Sequence, residues 1–302
     1  MVNVKTPNSQ FEIWSNPGPE DSAKRTHRSV REALKHRDSP LMKKEKSFDI
    51  FLQGSYQNTT NIHGNSDVDI VVKLEDTFIS DKTDLSDDER SRHEDQYTDS
   101  DYNWSNFRED VLTTLRKYYS RGSINESNKA IELEHDSLPI DADILVCLEF
   151  RDYNSFYQAP GDYEEGIVFW PLQGNERITN FPKQHIEKGA EKHSDTKNRY
   201  KETVRIFKHV RKHIVKNYNF DKDRAPSYFI ECMLYNVPNR KFCYNKKERF
   251  ENILEWLQGA NLREFQCQNE LKELFGDKST QWYVYDAKEF LKKAERLARE
   301  WE

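Results

Sequence analysis

The clearest pattern of apolar and polar positions lies near residue 60. An apolar run over Phe48–Leu52 predicts a short buried strand, and Ile70 opens a second apolar run of the same kind. The residues between the two runs are rich in asparagine and glycine, which favour turns. The pattern therefore predicts two strands joined by a loop.

Periodicity also predicts the elements that follow this pair. Apolar positions at helical spacing over residues 105–122 indicate an amphipathic helix that packs across the sheet, and alternation over 129–134 indicates another strand. A further buried strand begins directly after Asp143. The stretch 79–102 is strongly acidic with few opposing cations, so we expect it to be a mobile, solvated loop.

The pattern becomes helical after residue 198. Before that point, residues 172–198 contain several prolines and glycines and read as loops, as do residues 1–20 at the other end of the chain. Later helices are predicted at 246–258, 262–275 and 286–301. These elements predict an α+β fold with a catalytic lobe over residues 1–190, made of a mixed sheet with N-terminal helices, and a helical C-terminal lobe over 191–302.

Composition narrows the class of protein. The 302 residues are 35% hydrophobic and 13% aromatic, enough for a sizeable core, and the net charge of −6 argues against extended nucleic-acid binding. The four cysteines form no C-x-x-C pair and predict free thiols. No apolar run approaches the ~18 residues of a membrane span, and the N-terminus lacks a signal-peptide core, so we expect a cytoplasmic protein.

Two aspartates at the start of the second strand carry the first candidate chemistry. Alternate residues of a strand face the same side, so Asp67 and Asp69 project together and repel unless a cation lies between them. Mg²⁺ commonly binds through one or two carboxylates plus substrate phosphates. Gly54 allows a close backbone approach to a phosphate, and Ser55 adds a hydroxyl and an N–H. The alternative is a solvated pair of acids in a turn.

More acids and cations extend this candidate site. A two-metal site needs a third carboxylate, and Asp141 and Asp143 are both candidates, with Asp143 preferred because it adjoins the apolar strand. Lys208, in the middle of a predicted helix, is our candidate for a contact to the outer phosphate oxygens. Ser227 follows Pro226 at a predicted helix start, where phosphate binding and simple capping both explain it.

The Gly-Ser pair followed by Asp-x-Asp resembles the signature of DNA polymerase beta-type nucleotidyltransferases. Within that superfamily the chain resembles the cGAS/DncV-like nucleotidyltransferases (CD-NTases), and among them the bacterial CdnE-like group. The matching stretches are Gln53-Gly54-Ser55-Tyr56 with Thr60, Ser66-Asp67-Val68-Asp69-Ile70-Val71, Asp141-Ala142-Asp143-Ile144-Leu145-Val146, Arg205-Ile206-Phe207-Lys208 and Pro226-Ser227-Tyr228-Phe229-Ile230-Glu231. Cys147 departs from the Val-Pro with which this strand often ends in the family, at a position outside the expected ligands.

The resemblance implies a function and its participants. It implies a two-lobed enzyme with its active site in the cleft, which joins nucleoside triphosphates into a cyclic dinucleotide for CBASS anti-phage defence and so acts on a downstream effector. It also implies two Mg²⁺ ions held by Asp67, Asp69 and Asp143, for which Mn²⁺ can substitute, and a monomeric protein. Gln53 joins the expected nucleotide-binding residues, and Asn198 matches a position that selects uracil in some members. Transfer of a nucleotide to a protein or RNA acceptor, or an inactive nucleotide sensor, are the alternatives.

Overall fold

The computed structural model describes residues 5–62, 67–174, 176–278 and 280–301. Its packing separates two compact units, each built from segments that are apart in sequence. We call Glu20–Gln53 with Ser66–Lys183 the strand unit, and Met1–Pro19 with Gly54–Asn65 and Gln184–Glu302 the helical unit. The lobe boundary between residues 190 and 191 stays a prediction, because the two units follow packing and not chain order.

Helices and strands follow one another along the chain as follows. The helices are α1 (Asn8–Trp14), α2 (Asp21–Leu34), α3 (Pro40–Lys43), α4 (Gly54–Gln57), α5 (Asp87–Gln96), α6 (Trp104–Tyr119), α7 (Pro182–Asp195), α8 (Tyr200–Asn217), α9 (Ser227–Tyr235), α10 (Lys246–Gly259) and α11 (Val284–Arg299). The strands are β1 (Phe48–Leu52), β2 (Val68–Asp81), β3 (Ile124–Glu126), β4 (Ile131–Leu133), β5 (Ala142–Ser155), β6 (Asp162–Phe169) and β7 (Ile178–Asn180).

A mixed sheet forms the centre of the strand unit. In the described part of the chain it has seven strands, with β1-β2-β5-β4-β3 side by side and β6 pairing with both β5 and β7. β1 runs antiparallel to β2, as the loop between them predicts, whereas β2 and β5 run parallel. The predicted α+β fold with a mixed sheet is confirmed.

The two central strands are long and largely buried. Ile70, Val72 and Leu74 of β2 are fully buried, as is Ile144 of β5. Strands that are covered on both faces read as near-continuous apolar runs, which is why the sequence identified this pair. β2 extends well beyond the predicted strand, and β5 starts one residue before Asp143, so this aspartate lies within the strand and not before it.

Helix α5 lies in the acidic stretch that was predicted to be a loop, so that prediction was wrong. The helix has almost no apolar face, which is why periodicity missed it. Its ends explain its stability: Glu89 accepts hydrogen bonds from the Ser86 N–H (3.0 Å) and hydroxyl (2.6 Å) in a capping box. The Phe156 N–H also donates to Glu89, at 3.0 Å, and ties the helix to the end of β5.

Three further predictions of local structure were wrong. Helix α1 occupies part of the predicted N-terminal arm, where Phe11 and Trp14 are buried in the core of the helical unit. Helix α7 occupies the predicted loop region 172–198. The helix predicted over 262–275 is replaced by a short 3-10 turn and an antiparallel bridge between Gln266 and Glu273, because Glu270 adopts a left-handed backbone (φ 60°) that ends any helix.

Helix α8 is the central element of the helical unit. Its buried side chains, which include Tyr200, Val204, Phe207 and Ile214, pack in one core with residues of α1, α9, α10 and α11. Lys208, which the sequence placed in the middle of this helix, is buried as well. Across the described residues, no helix combines the length and apolar character that crossing a bilayer requires.

Two glycines of the strand unit make a matched test of packing around β5. A Cβ at Gly166 of β6 would lie 2.8 Å from the Asn180 carbonyl oxygen and 3.1 Å from the Phe181 ring, whereas a Cβ at Gly122 would meet nothing within 4 Å. We expect Gly166→Ala to lower the free energy of unfolding by about 1–3 kcal/mol, and Gly122→Ala to change it little. Urea unfolding followed by fluorescence measures both, and equal midpoints would contradict the packing described here.

Candidate active site

Asp67 and Asp69 project from the start of β2. Both are exposed, whereas Val68 and Ile70 are fully buried, so the alternation predicted from the sequence is present. The backbone at this point is held from both sides: the Val68 N–H donates to the Asp141 carbonyl (2.9 Å), and the Gln53 N–H donates to the Asp69 carbonyl (2.9 Å). The backbone from which both aspartate side chains project is therefore held in place by the sheet.

Asp143 lies beside this pair on the neighbouring strand. In the parallel register of β2 and β5 it is the direct partner of Asp69, and on its other side Glu132 of β4 is its antiparallel partner. Burial, with added repulsion from Asp67 and Glu132, raises the pKa of Asp143 to about 6. Glu132 was not singled out from the sequence, because alternation within β4 does not show which residue of β5 it pairs with.

The carboxylates suit a hard divalent cation. Their mutual repulsion is the physical cause of part of the Asp143 shift, and a cation beside them would relieve it. Among the described residues, however, no three histidine, cysteine, aspartate or glutamate side chains are already arranged to hold a metal ion. Mg²⁺ usually takes one or two protein carboxylates and completes its shell with water and substrate phosphates.

The segment Gly54–Asn61, which we call the glycine-serine segment, belongs to the helical unit. Gly54 has φ of 67°, a left-handed conformation that glycine adopts without strain. The Ser55 carbonyl accepts hydrogen bonds from the N–H groups of Thr60 (2.8 Å) and Asn61 (3.1 Å), and the Gly54 carbonyl accepts from Asn58 (3.1 Å). The segment is thus a compact turn that presents Ser55 at its start.

Lys208 is buried below this segment, with 1% of its surface exposed. Its ammonium group forms an ion pair with Glu231 and donates to the carbonyl (3.2 Å) and hydroxyl (3.1 Å) oxygens of Thr60. The sequence predicted a phosphate contact for Lys208. In the structure its three N–H donors already have protein acceptors, so a phosphate would have to replace one of them.

Glu231 is the carboxylate that sequence reasoning missed. It accepts hydrogen bonds from the Thr60 hydroxyl (2.6 Å) and the Asn58 amide (3.2 Å), and His185 Nε2 lies 3.4 Å from it. Burial alone would raise the pKa of Glu231, but Lys208 and His185 outweigh it and hold that pKa well below its usual range. The signal in the sequence is a single acid within the apolar helix α9, which indicates a buried ion pair.

Ser227 and Asn198 lie at helix ends in the helical unit. Ser227 is the first residue of α9, directly after Pro226, as predicted. Asn198 is exposed two residues before α8, and its φ of 64° is a left-handed conformation that asparagine tolerates better than most residues. Backbone geometry alone therefore gives one reason for asparagine here, beside the predicted role in uracil selection.

The fold and its acids on neighbouring strands suit a nucleotidyltransferase, and comparison with known proteins identifies the family. Residues 187–299 match the model of the cGAS/DncV-like nucleotidyltransferase C-terminal helical domain. Over 298 residues, 99% of both chains, the sequence is 39% identical to a cyclic UMP-AMP synthase of Rhodothermus marinus. It is 37% identical over 300 residues to the cyclic nucleotide synthase CdnE01 of Staphylococcus haemolyticus, covering 98% of this chain and 99% of the relative.

A solved structure supports the same assignment. The Rhodothermus marinus CdnE c-UMP-AMP synthase with Apcpp and Upnpp matches with a TM-score of 0.87 and 38% identity, covering 97% of this chain and 96% of that one. The chain therefore belongs to the CD-NTase family of nucleotidyltransferases, in its CdnE group. The family resemblance inferred from the glycine-serine and aspartate motifs is confirmed.

The raised pKa of Asp143 generates a test of the metal site. A metal ion binds the charged carboxylate, so protons compete with it as the pH falls through about 6. We expect Mn²⁺ to bind roughly fourfold more weakly at pH 5.5 than at pH 7.5, measured by the EPR signal of free Mn²⁺. Asp143→Asn should weaken binding at both pH values and remove this step.

Asp141→Asn is the matched control for this measurement, because Asp141 lies two residues before Asp143 and was the other candidate ligand. We expect this variant to keep the fourfold step between the two pH values. If the step instead disappears in Asp141→Asn and persists in Asp143→Asn, the third ligand is Asp141.

Proposed function

We propose that this protein joins nucleoside triphosphates into a cyclic dinucleotide by metal-dependent nucleotidyl transfer. The observation that carries the proposal is the pairing of Asp69 with Asp143 on parallel strands, with Asp67 close enough to raise the pKa of Asp143. The 39% identity with a cyclic UMP-AMP synthase over 99% of both chains supports the choice of reaction. It favours ring formation over transfer to a protein or RNA acceptor.

In this reaction a ribose hydroxyl oxygen bonds to the α-phosphorus of a triphosphate, and the bond from that phosphorus to the bridging oxygen breaks. Pyrophosphate leaves, and the hydroxyl proton passes to solvent. Asp67, Asp69 and Asp143 would hold two Mg²⁺ ions, which when bound lower the pKa of the attacking hydroxyl and offset charge on the phosphates. A second transfer between the same two nucleotides closes the ring and releases a second pyrophosphate.

The remaining predicted residues take part in binding. Gly54 and Ser55 would contact the phosphate chain, with Gln53 before them, and Ser227 would add an N–H at the start of α9. Lys208 would contact the outer phosphate oxygens on exchanging one of its protein acceptors, or would act on them through Thr60. We place the reaction in the cytoplasm, carried out by a monomer, with the cyclic product acting on a CBASS effector.

We also propose that UTP and ATP are the substrates. The relative that supports this choice is named a cyclic UMP-AMP synthase, and its solved structure holds Apcpp and Upnpp. Other relatives are named for dipurine and dipyrimidine products, so the identity of the bases is open to direct test. Asn198, in its exposed position before α8, is the residue that we assign to uracil selection.

The reaction is tested by incubating the protein with labelled ATP, GTP, CTP and UTP and Mg²⁺ or Mn²⁺. We expect a phosphatase-resistant product whose mass equals a uridine-adenosine cyclic dinucleotide. Asp67→Ala with Asp69→Ala should lower turnover by roughly 10³-fold or more, because the metal ligands are lost. Asp84→Ala with Asp88→Ala, the same charge change at exposed positions, should retain it.

The other outcomes distinguish the alternatives. A label that appears only on an added protein or RNA acceptor would assign the first alternative activity, and no product under any condition would support an inactive sensor. Full activity in the double aspartate variant would mean that the catalytic site lies elsewhere.

Base selection is tested at Asn198 with variants that keep its backbone conformation. Asn198→Gly tolerates the left-handed φ and removes the amide, so we expect stability to stay the same while UMP incorporation falls roughly 10-fold relative to AMP. Asn198→Asp keeps the shape of the side chain and removes its N–H donor, and should show the same fall in UMP incorporation as Asn198→Gly. Competition between UTP and ATP, resolved by product mass, gives the ratio of UMP to AMP incorporated. An unchanged ratio in both variants would leave Asn198 a purely structural role.

A further inference from the structure

The glycine-serine segment depends on polar contacts for its position. Asn58, Thr60 and Asn61 are only 6%, 1% and 1% exposed, although all three are polar. Buried polar groups are costly unless they are hydrogen-bonded, so the partners of these side chains decide where the segment lies. The backbone hydrogen bonds to Gly54 and Ser55 close the turn but do not anchor it to the helices.

Three buried groups form a closed ring beneath the segment. Lys208 donates to the Thr60 hydroxyl (3.1 Å), the Thr60 hydroxyl donates to Glu231 (2.6 Å), and Lys208 pairs with Glu231 directly. The second oxygen of Glu231 accepts from Asn58 at 3.2 Å. Each carboxylate oxygen of Glu231 therefore accepts a hydrogen bond from one side chain of the segment. The two contacts together fix the distance of the segment from α8 and α9 and its orientation over them.

A second contact holds the same segment from the side. Arg205, one helical turn before Lys208 on α8, donates to the Thr59 carbonyl and to the Ser15 carbonyl. Gly18 N–H donates to the Asn61 carbonyl at 3.1 Å, so the chain after α1 also adjoins the segment. These contacts engage main-chain groups, whereas Glu231 engages the side chains of Asn58 and Thr60.

A buried ion pair is a poor source of stability. Desolvation of the two charges offsets most of their attraction, and apolar residues of the same size are often as stable. What such a pair does provide is specificity, when its remaining lone pairs and protons are bound by particular neighbours. Here those neighbours are Asn58 and Thr60, which follow Ser55 by three and five residues.

We propose that Glu231, held in place by Lys208, is a positioning residue that sets the glycine-serine segment through Thr60 and Asn58. Thr60 is the link, because its hydroxyl contacts both charged groups. This inference rests on the proposed function, in which Ser55 binds the triphosphate. Glu231 itself is enclosed at 4% exposure and acts through the segment.

Thr60→Val is the main test, because it removes the hydroxyl while keeping the shape of the side chain and the ion pair. We expect amide hydrogen exchange to rise at least 10-fold at residues 58, 60 and 61 and to stay within twofold along α8. The KM for the triphosphate should rise about 3- to 10-fold, the value of one hydrogen bond, with a smaller change in kcat. Thr60→Ser, which restores the hydroxyl, should recover both quantities.

Glu202→Gln is the matched control. Glu202 also lies on α8 and pairs at 2.8 Å with Arg249, a buried cation of α10, so this variant breaks an ion pair of the same helical core. It should leave the exchange of the segment and the KM unchanged. Glu231→Gln is a second test, with the exchange of the segment raised further than in Thr60→Val if the protein folds.

A double-mutant cycle shows whether Thr60 acts through Ser55. If it does, Ser55→Ala with Thr60→Val should have the same kcat/KM as Ser55→Ala alone, within twofold. If the two substitutions instead lower kcat/KM by factors that multiply in the double variant, the inference is wrong. It is also wrong if amide hydrogen exchange in Thr60→Val is unchanged, or is raised equally across the helical unit. If the wild-type protein makes no nucleotide product, the proposed function fails, and the exchange measurement still decides whether Thr60 and Glu231 position the segment.

Discussion

Parallel pairing of β2 with β5 is the structural constraint on which the proposed chemistry of this protein depends. The register makes Asp69 and Asp143 direct neighbours, and the adjacent strand adds Glu132. Burial raises the pKa of Asp143, and repulsion from Asp67 and Glu132 raises it further. A cluster of carboxylates held by a stable sheet is suited to binding cations. A triphosphate binds together with divalent cations, so such a cluster is suited to a triphosphate site.

The helical unit contains a buried ion pair in place of a cluster of like charges. One of its buried cations, Lys208, is paired with a buried anion, Glu231, and both are bound by polar side chains of the glycine-serine segment. The strand unit brings carboxylates of neighbouring strands together, whereas the helical unit pairs a buried cation with a buried anion and binds a loop with that pair. In the proposed function the carboxylates would hold metal ions and the loop would orient the phosphate chain.

Local patterns in the sequence predicted a large part of the fold and of the site. Alternation placed Asp67 and Asp69 on one face, and the apolar runs located β1 and the start of β2. Helix α5 was missed because its stability comes from end caps and from the contact with Phe156 and not from an apolar face. Glu231 was missed because Asn58 and Thr60 are far from it in sequence, and Glu132 was missed because alternation within β4 does not reveal its register against β5.

The chain connectivity of the helical unit has a consequence for dividing this protein. The glycine-serine segment lies between two strands in sequence, yet packs with α8 and α9. A fragment that starts after β7 would therefore carry Lys208 and Glu231 without Thr60 and Asn58. It would expose to solvent the buried groups that the glycine-serine segment covers. Autonomous folding of the C-terminal helices would need the missing loop supplied in trans, as a peptide that complements the fragment.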